Sequence, residues 1–421
     1  MPPTKLIVIG AGSRGANYAE YAISHPDQAQ VVGVAEPREH YRAQLAARHS
    51  IPAESVFADW QEAAARLKFA DAVIVATPDA LHAESAIAFA NLGYHILLEK
   101  PMAPDAAGCR RIVAAAQAHG KMFAVCHVLR YTTYTKKVKA IVDSGRLGEI
   151  VNIQHLEPVG YWHQAHSFVR GNWRSERESS FMLLAKSCHD LDWIRHIMGK
   201  RCTQVSSFGS LLHFRAENKP EGAAGRCLDC AVEPACPYSA PRIYLNRVRR
   251  GETGWPVNVL TPDLTEAGVT EALRAGPYGR CVYACDNDVV DHQVVNMQFE
   301  DGSTASFTMT AFNRQRDRET RIFGTRGELY GNGRCIEVYD FLTDATERID
   351  AETASDGSIL SGHGGGDLAL MTHFIGALLK NDPSLILSGA VESLETHLMV
   401  FAAEQSRREG RVVSVVECLG S

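Results

Sequence analysis

Residues 5–15 read Lys-Leu-Ile-Val-Ile-Gly-Ala-Gly-Ser-Arg-Gly, a short apolar run that leads straight into three spaced glycines. The apolar run is typical of a buried strand, and a helical pattern follows it over residues 14–24. Between a strand and a helix, this glycine spacing indicates a dinucleotide-binding turn. Gly10 permits the tight turn, Gly12 lets a pyrophosphate approach the backbone, and Gly15 allows close helix–strand packing.

Glu36 ends the next predicted strand, about twenty residues after the last glycine. An acidic side chain at that position holds the ribose hydroxyls of NAD and repels the 2′-phosphate of NADP. The sequence therefore favours NAD, although the cation at Arg38, two residues further on, moderates that preference. Ser13 and Arg14 lie within the turn itself, and we assign both to the cofactor site.

Near-continuous apolar runs alternate with helical patterns over roughly the first 125 residues. This alternation indicates a parallel sheet covered on both faces by helices, the doubly wound α/β arrangement. Strands are expected at residues 5–9, 30–35, 72–76, 94–98 and 122–125, with helices at 14–24, 38–48, 60–67, 81–92 and 105–119.

The pattern changes after residue 150, where runs typical of a larger, open and mostly antiparallel sheet appear. Strands are expected at residues 150–156, 204–213, 289–299, 304–310 and 320–324, with helices at 134–144, 181–198, 367–379 and 390–408. The chain is thus predicted to have a dinucleotide-binding domain at residues 1–128 and an α/β substrate and oligomerisation domain at 129–421. A segment rich in Pro, Gly and Cys, about residues 215–285, is predicted to be an insertion in the second domain.

The 421-residue chain has a formal net charge of −6 at pH 7, so it lacks the positive field that non-specific nucleic-acid binding needs. It contains no run of about 18 apolar residues, so a membrane-spanning helix is not expected. The first apolar stretch is short and lacks a small-residue cleavage site, which argues against a signal peptide. We therefore expect a cytoplasmic protein with a small-molecule partner and no nucleic-acid or membrane partner.

Two further strand ends carry specific motifs. One predicted strand leads into Thr77-Pro78-Asp-Ala-Leu-His82, and the next leads into Glu99-Lys100-Pro. With the glycine turn, these motifs resemble the glucose–fructose oxidoreductase / inositol dehydrogenase / MocA (Gfo/Idh/MocA) family. The resemblance implies a Rossmann domain followed by an α/β domain with a large open sheet, and NAD(P)-dependent chemistry on sugars or polyols in a homodimer or homotetramer. It also places Thr77, Pro78, His82, Glu99 and Lys100 in the cofactor site.

By the same resemblance, Lys100 matches the lysine that contacts both the substrate hydroxyl and the nicotinamide ribose, and His189 matches the catalytic histidine. The family pattern places an aspartate four residues before that histidine, where this chain has Ala185. The usual Lys–Asp–His arrangement is therefore broken. We expect the proton relay to use Lys100 and His189, with Lys186 or Asp190 assisting.

Residues 161–174 read Tyr-Trp-His-Gln-Ala-His-Ser-Phe-Val-Arg-Gly-Asn-Trp-Arg, which is dense in aromatic, His and Arg side chains for a loop. Because sugar sites combine aromatic faces with polar groups, this segment is predicted to bind substrate; ordinary packing and metal ligation by its histidines are the alternatives. Lys186 is interpreted either as the partner of an anionic substrate group or as a solvated helix lysine. The predicted substrate-binding residues are Tyr161, His163, His166, Arg174, Lys186 and Asp190.

Five of the eleven cysteines fall between residues 227 and 285. The spacing Cys227-x2-Cys230-x5-Cys236 supplies three thiolates, and either Cys281 or Cys285 supplies a fourth, with Cys281 favoured. Such a set is typical of a structural, closed zinc site that holds an inserted segment in place. Reduced free cysteines, an iron–sulfur centre and disulfides are the alternatives.

The segment 361–367 reads Ser-Gly-His-Gly-Gly-Gly-Asp and precedes a predicted helix. His363 has the reach to enter a site. The favoured interpretation, however, is a loop in which Asp367 caps the helix.

The leading functional hypothesis is an NAD-dependent oxidoreductase that transfers hydride between a hydroxyl-bearing ring carbon of a sugar or glycoside and nicotinamide C4. The alternative is a redox-neutral NAD-dependent glycosidase, with an acidic sugar as one candidate substrate. In that mechanism C3 is transiently oxidised, the C2 proton is removed, the glycosidic group is eliminated, water adds and the ketone is reduced again. It needs an extra acid or base, for which Tyr161, His163 and His166 are candidates. A third hypothesis, a non-catalytic NAD-binding regulator, is disfavoured because Lys100 and His189 are present.

Overall fold

The computed structural model describes residues 2–351 and 362–419. The first domain is a parallel sheet of six strands in the order β3-β2-β1-β4-β5-β6, flanked by helices. Its strands are β1 (Thr4–Ile9), β2 (Ala29–Ala35), β3 (Val56–Phe57), β4 (Ala72–Val75), β5 (His95–Leu98) and β6 (Phe123–Val125). Its helices are α1 (Ser13–Ser24), α2 (Glu39–Arg48), α3 (Trp60–Ala64), α4 (His82–Asn91) and α5 (Ala106–Ala118).

The central strands of this sheet are buried on both faces. All four residues of β4 are inaccessible to solvent, and the middle of β1 is equally buried. Apolar side chains that pack under helices on both faces give the near-continuous apolar runs seen in the sequence, and the predicted doubly wound arrangement is confirmed. It brings the carboxyl ends of β1, β2, β4 and β5 to one edge, where ligands bind in sheets of this kind.

The second domain is built on nine strands in the order β14-β13-β12-β11-β7-β10-β9-β8-β15, in which β7 and β10 are parallel and the other neighbours antiparallel. Its strands are β7 (Ile150–Pro158), β8 (Cys202–Ser210), β9 (His292–Phe299), β10 (Thr304–Thr310), β11 (Glu319–Gly324), β12 (Gly327–Gly331), β13 (Cys335–Asp340), β14 (Ala345–Asp350) and β15 (Val413–Ser414). Its helices are α6 (Thr133–Asp143), α7 (Tyr161–Gln164), α8 (Met182–Ala185), α9 (Cys188–Met198), α10 (Asn246–Arg249), α11 (Glu266–Ala275), α12 (Gly362–Lys380) and α13 (Ala390–Glu409).

The large, mostly antiparallel sheet predicted for this domain is confirmed, but its outer strands β12 to β14 were not predicted. Five of the six residues of β14 are exposed, so that strand lacks the apolar alternation on which the prediction depended. The single helix predicted at residues 181–198 is divided into α8 and α9, with Lys186 and Ser187 between them.

The segment between β8 and β9, residues 211–291, contains α10, α11 and several short turns. It forms an apolar cluster of its own that includes Phe214, Tyr238 and Tyr244. Two residues of a wide helical turn at Ala165–Arg170, Ala165 and Val169, belong to the same cluster. The insertion therefore packs directly on the segment that was predicted to bind substrate.

By length and composition, the stretch Pro383–Glu409 is long and apolar enough to cross a membrane. The helix α13, which makes up most of it, packs against β8 and α9 of the second domain and against α5 of the first. Burial between the two domains therefore accounts for the apolar character of this helix.

Candidate active site

The glycine turn after β1 is shaped so that two of its positions exclude a side chain. Gly10 has a left-handed φ of +91°, and a Cβ built on it would lie 2.4 Å from the carbonyl oxygen of Ala76. A Cβ on Gly15 would lie 1.9 Å from the carbonyl oxygen of Gly10. α1 begins at Ser13, directly after Gly12, so its free backbone amides lie at the turn. This cradle fits the pyrophosphate of a dinucleotide.

Glu36 is buried at the end of β2, and Arg38 is bonded to it. The carboxylate accepts the backbone N–H of Ala11 at 2.9 Å and two side-chain N–H groups of Arg38 at 2.7 and 3.0 Å. Burial raises the pKa of Glu36, but the bonds from Arg38 and Ala11 hold that pKa below its ordinary value. Glu36, which is expected to bind the ribose hydroxyls, is therefore ionised. Arg38, the cation that moderates the expected preference for NAD, forms hydrogen bonds with it.

His82 links the loops that follow β4 and β5. Its ring nitrogens lie 2.8 Å from the carbonyl oxygen of Thr77 and 2.7 Å from that of Pro101. Thr77 and Pro78 begin the first of these loops, and the Thr77 amide nitrogen lies 3.0 Å from where a Cβ of Gly10 would be. The structure therefore places Thr77 beside the glycine turn and makes His82 a bridge between two loops.

Arg14 joins the glycine turn to α12. Its guanidinium donates to the carboxylate of Glu99 at 2.7 Å and to that of Asp367 at 2.7 and 3.2 Å. Glu99 also accepts the Tyr18 hydroxyl at 2.8 Å and the backbone N–H of Lys100 at 2.6 Å. Burial raises the pKa of Glu99, but the charge of Arg14 keeps it below its ordinary value. Arg14 and Glu99 are ionised partners that hold the turn, the end of β5 and α12 together.

Lys100 and His189 meet beside the backbone of Ala185. The ammonium group of Lys100 donates to the carbonyl oxygen of Ala185 at 2.6 Å. His189 is buried in the first turn of α9, and its Nδ1 has no hydrogen-bond partner among the described residues. Burial and the positive charge of Lys100 lower the pKa of His189 well below its ordinary value. A neutral imidazole beside an ammonium group is suited to accept a proton from a substrate hydroxyl.

His363 is a second imidazole at the same place. Its Nδ1 lies 3.3 Å from Asp367, and its ring centroid lies 6.1 Å from that of His189. The side chain of His363 is 39% exposed, whereas that of Asp367 is 1% exposed. The backbone of His363 is left-handed, with a φ of 52° and a ψ of 41°, and the two glycines that follow it are left-handed as well.

The loop predicted ahead of the helix is present as a kink, since His363, Gly364 and Gly365 have left-handed, non-helical backbone, but the role predicted for Asp367 is different. Residue 361 lies outside the described residues. Asp367 lies two residues after this kink, near the start of the regular part of α12, and the bonds described for its carboxylate come from the side chains of Arg14 and of Asn17, the latter at 2.8 Å, in place of the predicted cap. The sequence signal for this pair was the spacing of four residues between His363 and Asp367. The other partner of Asp367, Arg14, is 353 positions away in the chain and could not be identified from that spacing.

Lys186 and Asp190 belong to a compact set of charges. The Nζ of Lys186 lies 3.2 Å from Glu157, which also pairs with Arg318 at 2.9 Å. Arg318 donates in turn to the buried Asp190, which lies 3.2 Å from Nε2 of His155. Two cations thus face two carboxylates. The charge of Lys186 is already balanced within the protein, and neither Glu157 nor Arg318 was predicted to lie here.

Tyr161 is exposed, and His163 lies near enough to Lys186 to be affected by its charge. Tyr161 is 37% exposed at the start of α7. Burial, followed by the charges of Lys186 and of His166, lowers the pKa of His163 well below its ordinary value. The Nδ1 of His163 has no hydrogen-bond partner among the described residues. Both side chains are therefore placed to contact a ligand.

His166 and Arg174 have other partners. The Nδ1 of His166 lies 2.8 Å from the Tyr244 hydroxyl in the core of the insertion. Arg174 forms ion pairs with Asp286 at 3.2 Å and with Glu178 at 2.9 Å. Of these two residues predicted to bind substrate, His166 is therefore packed within the insertion and Arg174 is held in ion pairs.

A small enclosed cavity of about 20 Å³ lies within the insertion and is lined by four cysteines; we call it the thiol cavity. Those cysteines are Cys227, Cys230, Cys236 and Cys281. They are free thiols, and within residues 2–351 and 362–419 no group of three or more His, Cys, Asp or Glu side chains is placed to hold a metal ion. The predicted structural zinc is therefore not confirmed, although the predicted four cysteines do share one cavity, without Cys285.

Two family models match the chain. The NAD-binding Rossmann fold of the oxidoreductase family matches residues 4–127, and the C-terminal alpha/beta domain of that family matches residues 139–415. A 2,7-anhydro-N-acetylneuraminate hydratase from Escherichia coli is 28% identical over 49% of this chain and 52% of its own length. An inositol 2-dehydrogenase from Streptomyces avermitilis is 31% identical over 47% of this chain and 54% of its own. The chain thus spans about half the length of each of these two relatives.

A solved structure of levoglucosan dehydrogenase with NADH and levoglucosan has the same fold, with a TM-score of 0.71 and 18% identity over 98% of this chain and 99% of that chain. The family models cover both domains, and they agree with the glycine turn and the two strand-end motifs. The chain is an NAD-binding enzyme that belongs to the Gfo/Idh/MocA oxidoreductase family.

Proposed function

We propose that the protein is an NAD-dependent oxidoreductase of a sugar or glycoside, which moves a hydride between a hydroxyl-bearing ring carbon and nicotinamide C4. The observation that carries the proposal is the position of Lys100 at the carboxyl edge of the parallel sheet, where its ammonium group donates to the Ala185 carbonyl and lies near enough to His189 that burial and this charge together lower the pKa of that imidazole. NAD, when bound, supplies the hydride acceptor or donor. The relative named inositol 2-dehydrogenase supports a polyol or sugar as the substrate class.

Lys100 and His189 divide the handling of the hydroxyl proton. Lys100 donates a hydrogen bond to the substrate oxygen and stabilises the negative charge that develops there. His189 accepts the proton, because burial and the charge of Lys100 keep its imidazole neutral. A general base in this position contributes about 10²- to 10⁴-fold to the rate. Ala185 offers only a backbone carbonyl, so the proton-accepting role of the missing aspartate passes to His189.

His363 provides an exit for that proton. It is the exposed member of the two neighbouring imidazoles, and its Nδ1 lies 3.3 Å from the carboxylate of Asp367. The ring centroids of His189 and His363 lie 6.1 Å apart, which is within contact distance for two rings, so the two imidazoles are neighbours. A proton taken by His189 can therefore be passed toward solvent.

A redox-neutral glycosidase is the second candidate, and the His363–Asp367 pair is the observation that favours it. That reaction requires a further group to remove the C2 proton or to protonate the departing oxygen, and an imidazole oriented by a carboxylate has this capacity. The E. coli relative is named a hydratase, a name that describes the addition of water. Tyr161 and His163 remain further candidates, since His166 is bonded within the insertion.

The charges around Lys186 favour a neutral sugar over an acidic one. Lys186 and Arg318 are each bonded to a carboxylate of the protein, so an anionic substrate group would compete with Glu157. A neutral hydroxyl can instead be added to such a network as both donor and acceptor.

The test follows NADH and p-nitrophenol together in one incubation with NAD and a panel of p-nitrophenyl glycosides, free sugars and inositols. Net accumulation of NADH supports the oxidoreductase. Release of p-nitrophenol that requires NAD but leaves NADH flat identifies the glycosidase. NADH binding without turnover on any substrate favours the non-catalytic alternative.

Lys100→Met should lower either activity by at least about 10²-fold while NADH fluorescence still reports binding. The matched control is Lys68→Met, since Lys68 lies near the opposite edge of the sheet, bonded to the Gly93 carbonyl at 2.6 Å. Full turnover by the Lys100 variant would contradict the proposed role.

A further inference from the structure

The thiol cavity is bordered by more positive charge than the surrounding protein offsets. Arg170 and Arg226 both line it. Arg170 is 1% exposed, and its guanidinium donates to the carbonyl oxygens of Arg280 at 2.7 Å and Tyr238 at 2.8 Å. One of its terminal nitrogens, Nη1, has no hydrogen-bond partner among the described residues. A buried cation is therefore held at the cavity wall by neutral groups.

Arg226 is half-buried and also has neutral partners. It donates to the carbonyl oxygens of Leu273, at 3.1 Å, and Gly276, and its Nε is buried without a partner among the described residues. Within the described ranges, neither arginine forms an ion pair with a carboxylate. Glu233 also borders the cavity, where its carboxylate accepts the Ser239 hydroxyl, so one negative charge stands against the two guanidinium charges and an excess positive charge remains.

A guanidinium stays cationic, and burying a charge without a counter-ion is strongly unfavourable. Negative charge at the cavity wall would therefore be stabilising, and the four cysteines can provide it as thiolates. Two N–H groups already point at sulfur: Nη2 of Arg170 lies 3.4 Å from Sγ of Cys227, and the Ala224 amide lies 3.4 Å from Sγ of Cys230. Donors of this kind surround the sulfur ligands of metal sites.

We propose that the thiol cavity binds one zinc ion through its four sulfurs. Zn²⁺ displaces the four thiol protons, no group is oxidised or reduced, and the resulting tetrathiolate has a net charge of −2, which the neighbouring cations of Arg170 and Arg226 stabilise. Since about 10–15 Å³ suffices for one water molecule, a cavity of about 20 Å³ suits a single ion and not a multi-iron cluster. Zinc–sulfur bonds of about 2.3 Å require the thiol side chains to turn toward the cavity centre from the positions they have here.

The zinc site is structural, because four sulfur ligands leave no open position for substrate. Its effect reaches the active site through the turn Ala165–Arg170. Arg170 ends that turn at the cavity wall, and His166 within it is bonded to Tyr244 of the insertion. Zinc therefore holds the insertion against the segment that carries Tyr161 and His163.

The first test is the metal content of the full chain, purified without added metal from cells grown with zinc. Elemental analysis should find about one zinc per chain, and the metal should return when a chelator-treated sample is given Zn²⁺ under reducing conditions. Absence of zinc before and after that treatment would overturn the proposal, as would stoichiometric iron in its place. This assay needs no substrate, so its outcome is independent of the proposed enzymatic activity.

A matched pair of cysteine variants tests the ligand set. Cys281 lines the cavity, whereas Cys285, four residues later, does not. Cys281→Ser should lose zinc, and Cys285→Ser should keep it, with circular dichroism confirming that both remain folded. The reverse pattern, or equal retention by both folded variants, would refute the assignment.

A second pair tests the charge argument. Arg170→Gln removes the buried cation and should weaken zinc binding about 10- to 100-fold in competition with a chromophoric chelator. Arg170→Lys keeps the charge and should recover part of that loss. An unchanged affinity in Arg170→Gln would show that the guanidinium does not balance the thiolates.

Discussion

Glu36→Ala should shift the cofactor preference from NADH toward NADPH. In the present arrangement the carboxylate is ionised and is bonded to Ala11 and Arg38. Two ribose hydroxyls donating to a carboxylate contribute about 1.5–3 kcal/mol each, and competition from Arg38 reduces the net gain to about 2–3 kcal/mol in all. Loss of the carboxylate should therefore weaken NADH binding about 30- to 150-fold.

The same change releases Arg38 for the 2′-phosphate of NADPH. Its side chain is 57% exposed in the pair with Glu36, so a new ion pair there contributes at most about 1 kcal/mol. NADPH should therefore bind only about fivefold more tightly. In the double variant that also carries Arg38→Ala, this gain should disappear while the loss of NADH affinity remains.

Titration of intrinsic and nucleotide fluorescence with NADH and NADPH measures both constants without any substrate. Glu39→Ala is the matched control, because Glu39 is an exposed glutamate three residues further on, in the first turn of α2. Binding of NADH by Glu36→Ala within twofold of the unmodified protein would show that Glu36 does not hold the ribose.

Three further changes have defined outcomes. Asp192→Asn leaves Arg130 buried without its carboxylate, so the free energy of unfolding from urea titration should fall by about 3–5 kcal/mol. Burial raises the pKa of Asp192, but the Arg130 pair lowers it to about 2, so this stabilisation is complete above about pH 4 and is lost as the pH falls toward 2. His363→Gln should lower kcat about 10²-fold or more without changing NADH binding, because it removes the proposed proton exit. Phe208→Asp, on an exposed sheet position opposite Val294, should convert the expected homodimer or homotetramer into a 46.1 kDa monomer by light scattering.

Each of these variants has a control. Asp143→Asn changes an exposed carboxylate and should leave unfolding within about 0.5 kcal/mol. His40→Gln should leave kcat unchanged, and Leu67→Asp, at a position 93% exposed, should leave the assembly intact. Equal stability of the Asp192 variant, full kcat in the His363 variant, or an unmodified protein that is already monomeric would contradict the respective prediction.

The parts of the site that were predictable from the sequence are local. Gly10 and Gly15 are required by contacts within one turn and its neighbouring strand, and Lys100 follows directly on the strand that positions it. The buried strands were predictable for the same reason, since helices on both faces impose an apolar run. β14 was not predicted because five of its six residues are exposed, so its sequence lacks the alternation of apolar and polar residues that indicates a strand.

The remaining contacts join distant parts of the chain. Arg14 and Asp367 are 353 positions apart, and Arg318 and Asp190 are 128 apart. Nothing in the local pattern around His363 distinguishes a loop residue from an acid–base group. Its carboxylate partner Asp367 is four residues away, but only the folding of the whole chain brings His189 and Arg14 to the same place.

Position 185 has an alanine where the family pattern has an aspartate, and this difference limits how the protein can move a proton during the reaction. A carbonyl can hold the Lys100 ammonium group in place, but it cannot take up a proton and release it again near neutral pH. In the mechanism that we propose, the proton moves through imidazoles, and a buried His189 with a lowered pKa holds it only briefly. A second, partly exposed imidazole with its own carboxylate satisfies that requirement. The His363–Asp367 pair is thus needed most where the reaction returns a proton to its product, as the redox-neutral mechanism does.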